Sequence, residues 1–247
     1  FETETGALTA GINICADMGN PVEAIEKCFE LGWTDGLPVV PPTEERVRDF
    51  LNYVQMSGDE IVGLLRERRR KVTVGNIAAN SVMAGCLPEY LPVVLAATEA
   101  MLSPEFNLIG PSSSLGGAAV LAIVSGPAAR EINLNSGNNL FGPGNRANST
   151  IGRAIRLVLM NCCAAIPGLF DRSVLGHPGK FSFCIAENES GIHWDPLHVE
   201  RGYDLEQSVV TVFACGAPRQ VSVGEIPDDI ISSVADVIMT PGTSISS

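Results

Sequence analysis

The segment that most restricts the fold is a run of seven apolar residues, Ala118 to Val124, held between Gly117 and Gly126. It lacks the polar alternation of a half-exposed strand, and it suits a buried strand of the kind found in helix-covered sheets. Helical signals stand on both sides of it. Asn20–Leu31 opens with a capping Asn20 and with Pro21 at the first position, and Val22, Ile25, Cys28 and Phe29 form one apolar face. Gly32 stops this helix. Thr43, followed by Glu44 and Glu45, opens a second helix, and Asp59–Arg69 reads as a third. Asn76–Ala84, Pro88–Leu102 and Asn148–Cys163 are further helices. Phe181–Ala186 and Val209–Cys215 read as strands, and Val72–Val74 and Val221–Val223 as weaker ones. Between the first two helices, Trp33 to Pro42 contains Pro38, Pro41 and Pro42, each of which pushes its predecessor to an extended conformation.

Helices alternating with buried strands predict an α/β fold with a mixed or parallel sheet covered by helices. The expected organisation is an N-terminal, mainly helical arm over residues 1–71 and an α/β domain over 72–247 that carries the site. Strands 118–124, 181–186 and 209–215 are expected in one sheet. With 247 residues, 45% of them apolar and only 18% charged, folding should bury about 70% of the chain's surface without disulfide or metal staples.

Charge narrows the partners. Sixteen Lys and Arg against 28 Asp and Glu give a net charge of −12, which excludes a general nucleic-acid binder. The short basic run Arg66–Lys71 reads as a solvated helix end. No apolar stretch reaches the 18 or so residues of a membrane helix, since Leu91–Leu102 is interrupted by Pro92, Thr98 and Glu99. No membrane partner is expected. The start carries no signal-peptide pattern, and Phe1 in place of Met reads as a processed or truncated terminus. Seven cysteines, an odd number without a short-spaced pair of pairs, read as free thiols in a reducing, cytoplasmic setting. Helices as apolar as 88–102 suit a homo-oligomer.

Three constellations could carry chemistry. In the first, Cys86 falls just before a helix opened by Pro88, where unpaired amides and the helix dipole favour a thiolate of lowered pKa. Glu89 stands beside it as a possible acid or base. In the second, Gly142-Pro143-Gly144-Asn145-Arg146-Ala147-Asn148 leads into a helix start. Glycines allow close backbone approach, so Asn145, Arg146, Asn148 and Arg153 form a candidate site for a carboxylate or phosphate, with Lys180 as a further cation. In the third, all three histidines lie between Gly176 and Arg201, and Glu187-Asn188-Glu189 follows a strand end, where ligands gather in α/β sheets. His198 is the candidate general base or acid, oriented by Glu200 or Glu187. His193, Asp195, His198 and Glu200 match no compact zinc signature, so no metal is assigned. No cofactor motif is found.

Four blocks carry a family resemblance: Trp33–Thr43, Met83–Tyr90, Gly142–Asn148 and Pro196–Arg201. Together they resemble the UGSC-like family of selenoproteins and thiol proteins, over roughly residues 20 to 215. The motif that names that family, selenocysteine-Gly-Ser-Cys, does not occur. Cys215-Gly216-Ala217-Pro218 begins like it and then departs. The resemblance therefore implies a grouping of residues more than a reaction.

The leading expectation is an enzyme for a small anionic metabolite that uses Cys86 and His198, with Arg146 holding the negative group and with Cys86, Arg146, Glu187 and His198 in one pocket. Two alternatives stand beside it. One is a lyase or hydratase that uses Glu89, Glu187 and His198 without a reactive thiol. The other is a non-catalytic binding or assembly subunit whose 33–42 segment wraps a partner.

Overall fold

Caps set the first helices. The computed structural model describes residues 20–190, 193–221 and 226–239. Helix α1 (Pro21–Glu30) starts where the Asn20 side chain accepts the Val22 amide at 3.0 Å. Helix α2 (Glu44–Val54) starts where Thr43 Oγ1 accepts the Arg46 amide.

Residues 59–69, expected as a helix, are instead β1 (Ile61–Leu65) and a tight turn, Arg66–Arg68. β1 pairs antiparallel with β2 (Arg70–Thr73), Leu65 opposite Arg70 and Ile61 opposite Thr73. The apolar residues at 61, 62, 64 and 65 imitate helical spacing, but Gly63 lies so close to Leu102 that a Cβ there would collide with its side chain. Arg69 takes the left-handed turn conformation, φ 50°. Arg68 then reaches inward and donates to the Cys163 carbonyl and to Ser112 Oγ, both at 2.9 Å. Strand pairing and this anchor outweigh a helical spacing of apolar residues.

Helix α3 (Val74–Ala84) begins in a Thr73/Asn76 capping box and is buried along most of its length. A turn at Pro88–Tyr90 precedes α4 (Leu91–Leu102), and short α5 (Ile109–Ser113) follows. Strand β3 (Ala119–Ser125) and short α6 (Pro127–Glu131) come next, then the long α7 (Arg146–Asn161). The chain ends with β4 (Cys184–Ala186), α8 (Leu197–Glu200), β5 (Val209–Cys215) and α9 (Pro227–Met239). β4 is shorter than the expected 181–186, because Pro178–Lys180 forms a tight turn that runs into Phe181. The expectation of a strand at Val221–Val223 falls mostly outside the described residues.

The three strands expected together do share a sheet, in the order β4-β3-β5. β3 is central. It runs parallel to β4 (Ala122 opposite Cys184, Val124 opposite Ala186) and antiparallel to β5 (Ser125 opposite Val209). The protein is thus α/β with a mixed sheet. Helices α4 and α7 pack on the sheet, and α3 packs on both of them. Ala122 and Val124 join the buried core, Val120, Val210 and Val212 border it, and Leu121 and Ile123, alternating with these on β3, are only half-buried. The same core takes in Cys28, Val39, Val47 and Phe50 from the N-terminal helices and the segment between them. Among the described residues no helix is long and apolar enough to cross a membrane.

Two contacts fix α7. Gly152 rests against the backbone at Phe183 and Cys184, leaving no room for a Cβ. Asp171, 5% exposed, accepts Lys180 Nζ (2.8 Å), Arg156 Nη2 (3.1 Å) and Ser173 Oγ (2.5 Å). Burial alone would raise the Asp171 carboxyl, but hydrogen bonds from Lys180 and Ser173 and the Lys180 charge outweigh it and hold the pKa at about 2.

Gly152→Ala should overpack this contact and cost about 1–3 kcal/mol, read as a fall of several degrees in Tm. Asp171 has a depressed folded pKa. Its contribution, about 2 kcal/mol, is therefore complete above pH 4 and lost as pH falls towards 2. Urea midpoints at pH 6 and pH 3 should differ more in the wild type than in Asp171→Asn.

Candidate functional site

The carboxyl ends of β3 and β4 build the site. Because these strands are parallel, their last residues emerge side by side, and the next polar groups meet. Ser125, fully buried, donates Oγ–H to Glu187 Oε2 at 2.5 Å. The other Glu187 oxygen accepts the Leu197 amide at 2.8 Å, which ties the strand end to α8. Two residues on, Glu189 accepts the Gly126 amide through Oε1 and Arg130 Nη1 (2.8 Å) through Oε2. Gly126 makes this possible: its φ is +85°, and the Gln207 carbonyl occupies the space a Cβ would need.

His198, on α8, is fully buried behind the two carboxylates. Its Nε2 faces the Leu205 carbonyl at 3.3 Å. A carbonyl only accepts, so Nε2 carries a proton and donates it there. Nδ1 lies 4.0 Å from Glu189 Oε1 and is buried with no hydrogen-bond partner among the described residues. Ligand atoms of Glu187, Glu189 and His198 all lie within 4.8 Å of one another. In front of them opens a cleft of about 470 Å³ walled by Arg130, Glu187, Glu189, Trp194, Leu205 and Glu206 among others. Among the described residues, three carboxylates face one guanidinium there, so the cleft is acidic.

The other candidates lie apart from this cluster. Cys86 is buried, and burial pushes its thiol up to about 12 although a hydrogen bond with Thr150 and the charges of Arg146 and Arg153 act in the opposite direction. The expected lowered thiol pKa is therefore corrected: position before a helix turn gives a reactive thiolate only where water reaches it. Of the four residues expected in one pocket, only Glu187 lines the cleft; His198 is buried behind it, and Cys86 and Arg146 lie elsewhere.

Arg146 donates both Nε and Nη2 to the Gly85 carbonyl, at 3.1 and 3.0 Å, and so caps the end of α3. Arg153 grips Asp35 with two hydrogen bonds of 2.8 Å and also reaches the Leu37 and Pro38 carbonyls, fastening the proline-rich segment to α7. Asn145 caps α7, and Asn148 exchanges hydrogen bonds with the backbone of Asn135. Lys180 belongs to the Asp171 cluster. Glu89 is half-exposed beside Pro88. Glu200, His193 and Asp195 are exposed and stand outside the cluster.

Of the residues gathered in this cluster, the sequence singled out Glu187 and His198 and not Ser125, Gly126, Arg130 or Glu189. One signal was present: Glu187 and Glu189, two residues apart beyond a strand, can return to the same side. Arg130 carried none, since its place depends on α6 turning back over the sheet edge. Comparison of the chain with family models, with curated proteins and with solved structures finds no match.

Cys86 should resist a thiol reagent at pH 8 in the folded protein and react on unfolding. Mass mapping after a short exposure checks this, and early modification of Cys86 would show a thiol open to water.

Proposed function

We propose that the protein is an enzyme of the lyase or hydratase kind, acting on a small anionic metabolite in the cleft at the ends of β3 and β4. One observation carries the reading: two carboxylates line an open cleft, the usual place for a ligand in an α/β sheet, and a buried histidine with an unpartnered nitrogen lies directly behind them. Buried polar groups ordinarily have partners, and the exceptions concentrate where function needs them. Proton transfer falls to the Glu187–Glu189–His198 cluster. Arg130, whose side chain is 65% exposed, offers the cleft its one cationic wall group and a fork for a substrate carboxylate.

The thiol-dependent alternative has less support, because Cys86 is buried and outside the cleft. Kinship with the UGSC-like family stays part of the proposal. Its Pro196–Arg201 block contains His198. Cys215, where the family motif would begin, pairs with Ala119 at the opposite end of β3 from Ser125.

The test is a panel of small hydroxy acids and unsaturated acids, followed by absorbance near 240 nm and by proton exchange in deuterated water. The expected result is turnover of at least one acid that Glu187→Gln lowers by 10²-fold or more, in line with the usual 10²–10⁴ worth of a positioned acid or base. Cys86→Ser should keep most of it. Turnover lost in Cys86→Ser and kept in Glu187→Gln would overturn the reading in favour of thiol chemistry.

A further inference from the structure

We propose that Glu187, Glu189 and His198 form a binding site for one divalent transition-metal cation, held by a carboxylate oxygen from each glutamate and by His198 Nδ1. Four observations converge on it, and the most telling is the histidine. A metal-bound histidine donates its second ring N–H to a carbonyl, carboxylate or water, which fixes the tautomer and points the other nitrogen at the ion. His198 has this arrangement already: Nε2 is committed to the Leu205 carbonyl, and Nδ1 is fully buried, unpartnered and turned towards Glu189.

The glutamates are prepared in the same way. Each carboxylate oxygen named above accepts one hydrogen bond, from Ser125, the Leu197 amide, the Gly126 amide or Arg130, and keeps a second lone pair. These partners hold the carboxylates where ligands would be needed. Spacing agrees as well. Ligand atoms about 2.0–2.2 Å from an ion stand about 3–4 Å from each other, and here they lie within 4.8 Å. A shift of about 1 Å, within reach of a glutamate side chain, closes the difference.

Charge supplies the fourth observation. Among the described residues the cleft presents Glu187, Glu189 and Glu206 against Arg130 alone, so beside Arg130 it has an excess of negative charge that a cation would offset. A dication reverses that sign. It would let a substrate carboxylate or hydroxyl complete the coordination from the open side, with Lewis acidity at the reacting group. One imidazole among oxygen ligands favours manganese, iron or zinc over calcium or magnesium.

The site deepens the proposed lyase or hydratase reading and rests on it only for the substrate, since binding of the ion can be measured alone. The experiment titrates the full chain, stripped with chelator, with Mn²⁺ and reads the free-ion signal by electron paramagnetic resonance; Mn²⁺ is chosen because it avoids thiols. One equivalent should bind, with a rise in Tm on saturation. Glu189→Gln and His198→Gln should each weaken binding at least tenfold, and Ser125→Ala about tenfold, the usual cost of losing an outer partner. Circular dichroism confirms folding, and Ser125→Ala stands in where a ligand variant fails to fold. No stoichiometric binding at millimolar Mn²⁺, or binding that all three substitutions leave intact, would overturn the site. Stoichiometric, cluster-dependent binding without turnover of any acid upholds the site and removes the lyase or hydratase reading. Turnover that neither Mn²⁺ nor chelator changes, with no binding, does the reverse.

Discussion

The parallel pairing of β3 with β4 is the constraint on which the rest of the site depends. Parallel strands end at the same edge, so the groups that follow them are delivered to one place whatever their distance in sequence. Here that brings Ser125 and Gly126 against Glu187 and Glu189, 62 and 63 residues away. An antiparallel arrangement would have carried Glu187 to the opposite end of the sheet. β5, which is antiparallel, then returns the chain so that Gln207 covers Gly126 and Leu205 meets His198. The cluster is therefore a product of topology, with each of its three members held by backbone or side-chain partners.

A second group of polar residues has a different use. The segment from Asn133 to Asn145 has little regular structure, and its backbone groups need partners. Asn135, Asn139, Asn145 and Asn148 supply them, with hydrogen bonds between 2.7 and 3.1 Å to nearby main-chain groups. Arg146 and Arg153 do the same over longer distances. Such a loop looks like a ligand cradle in the sequence because glycine, asparagine and arginine serve both purposes. Only the location of the partner atoms separates the two, and here those atoms belong to the protein.

What could be read from the chain follows from the same distinction. Features decided by nearest neighbours were legible: the Asn20 and Thr43 caps, the apolar runs that became β3 and β5, and the amphipathic α7. Asp59–Arg69 was misread because its strand state depends on Arg68 reaching Cys163 and Ser112 and on Gly63 meeting Leu102, all distant in sequence. In the site, Glu187 and His198 were legible as polar residues beyond a strand end. Arg130 and Ser125 were not, since nothing local marks them. The Cys86 thiol was misjudged because the favourable field of a helix start is a local property, whereas burial is a global one, and burial decides its ionisation.

That burial extends to more than one thiol. Cys86, Cys162, Cys163 and Cys184 are thiols enclosed in the core, where they pack as small apolar groups. Once the chain opens, its seven cysteines return to ordinary thiol acidity together and become partners for random disulfide exchange. The native state thus shields these core thiols only as long as it stays closed, and oxidation during heating would convert a reversible opening into permanent loss. For this protein the operational measure of robustness is a lifetime set by the rate of opening, with the redox potential of the medium deciding how many openings it survives.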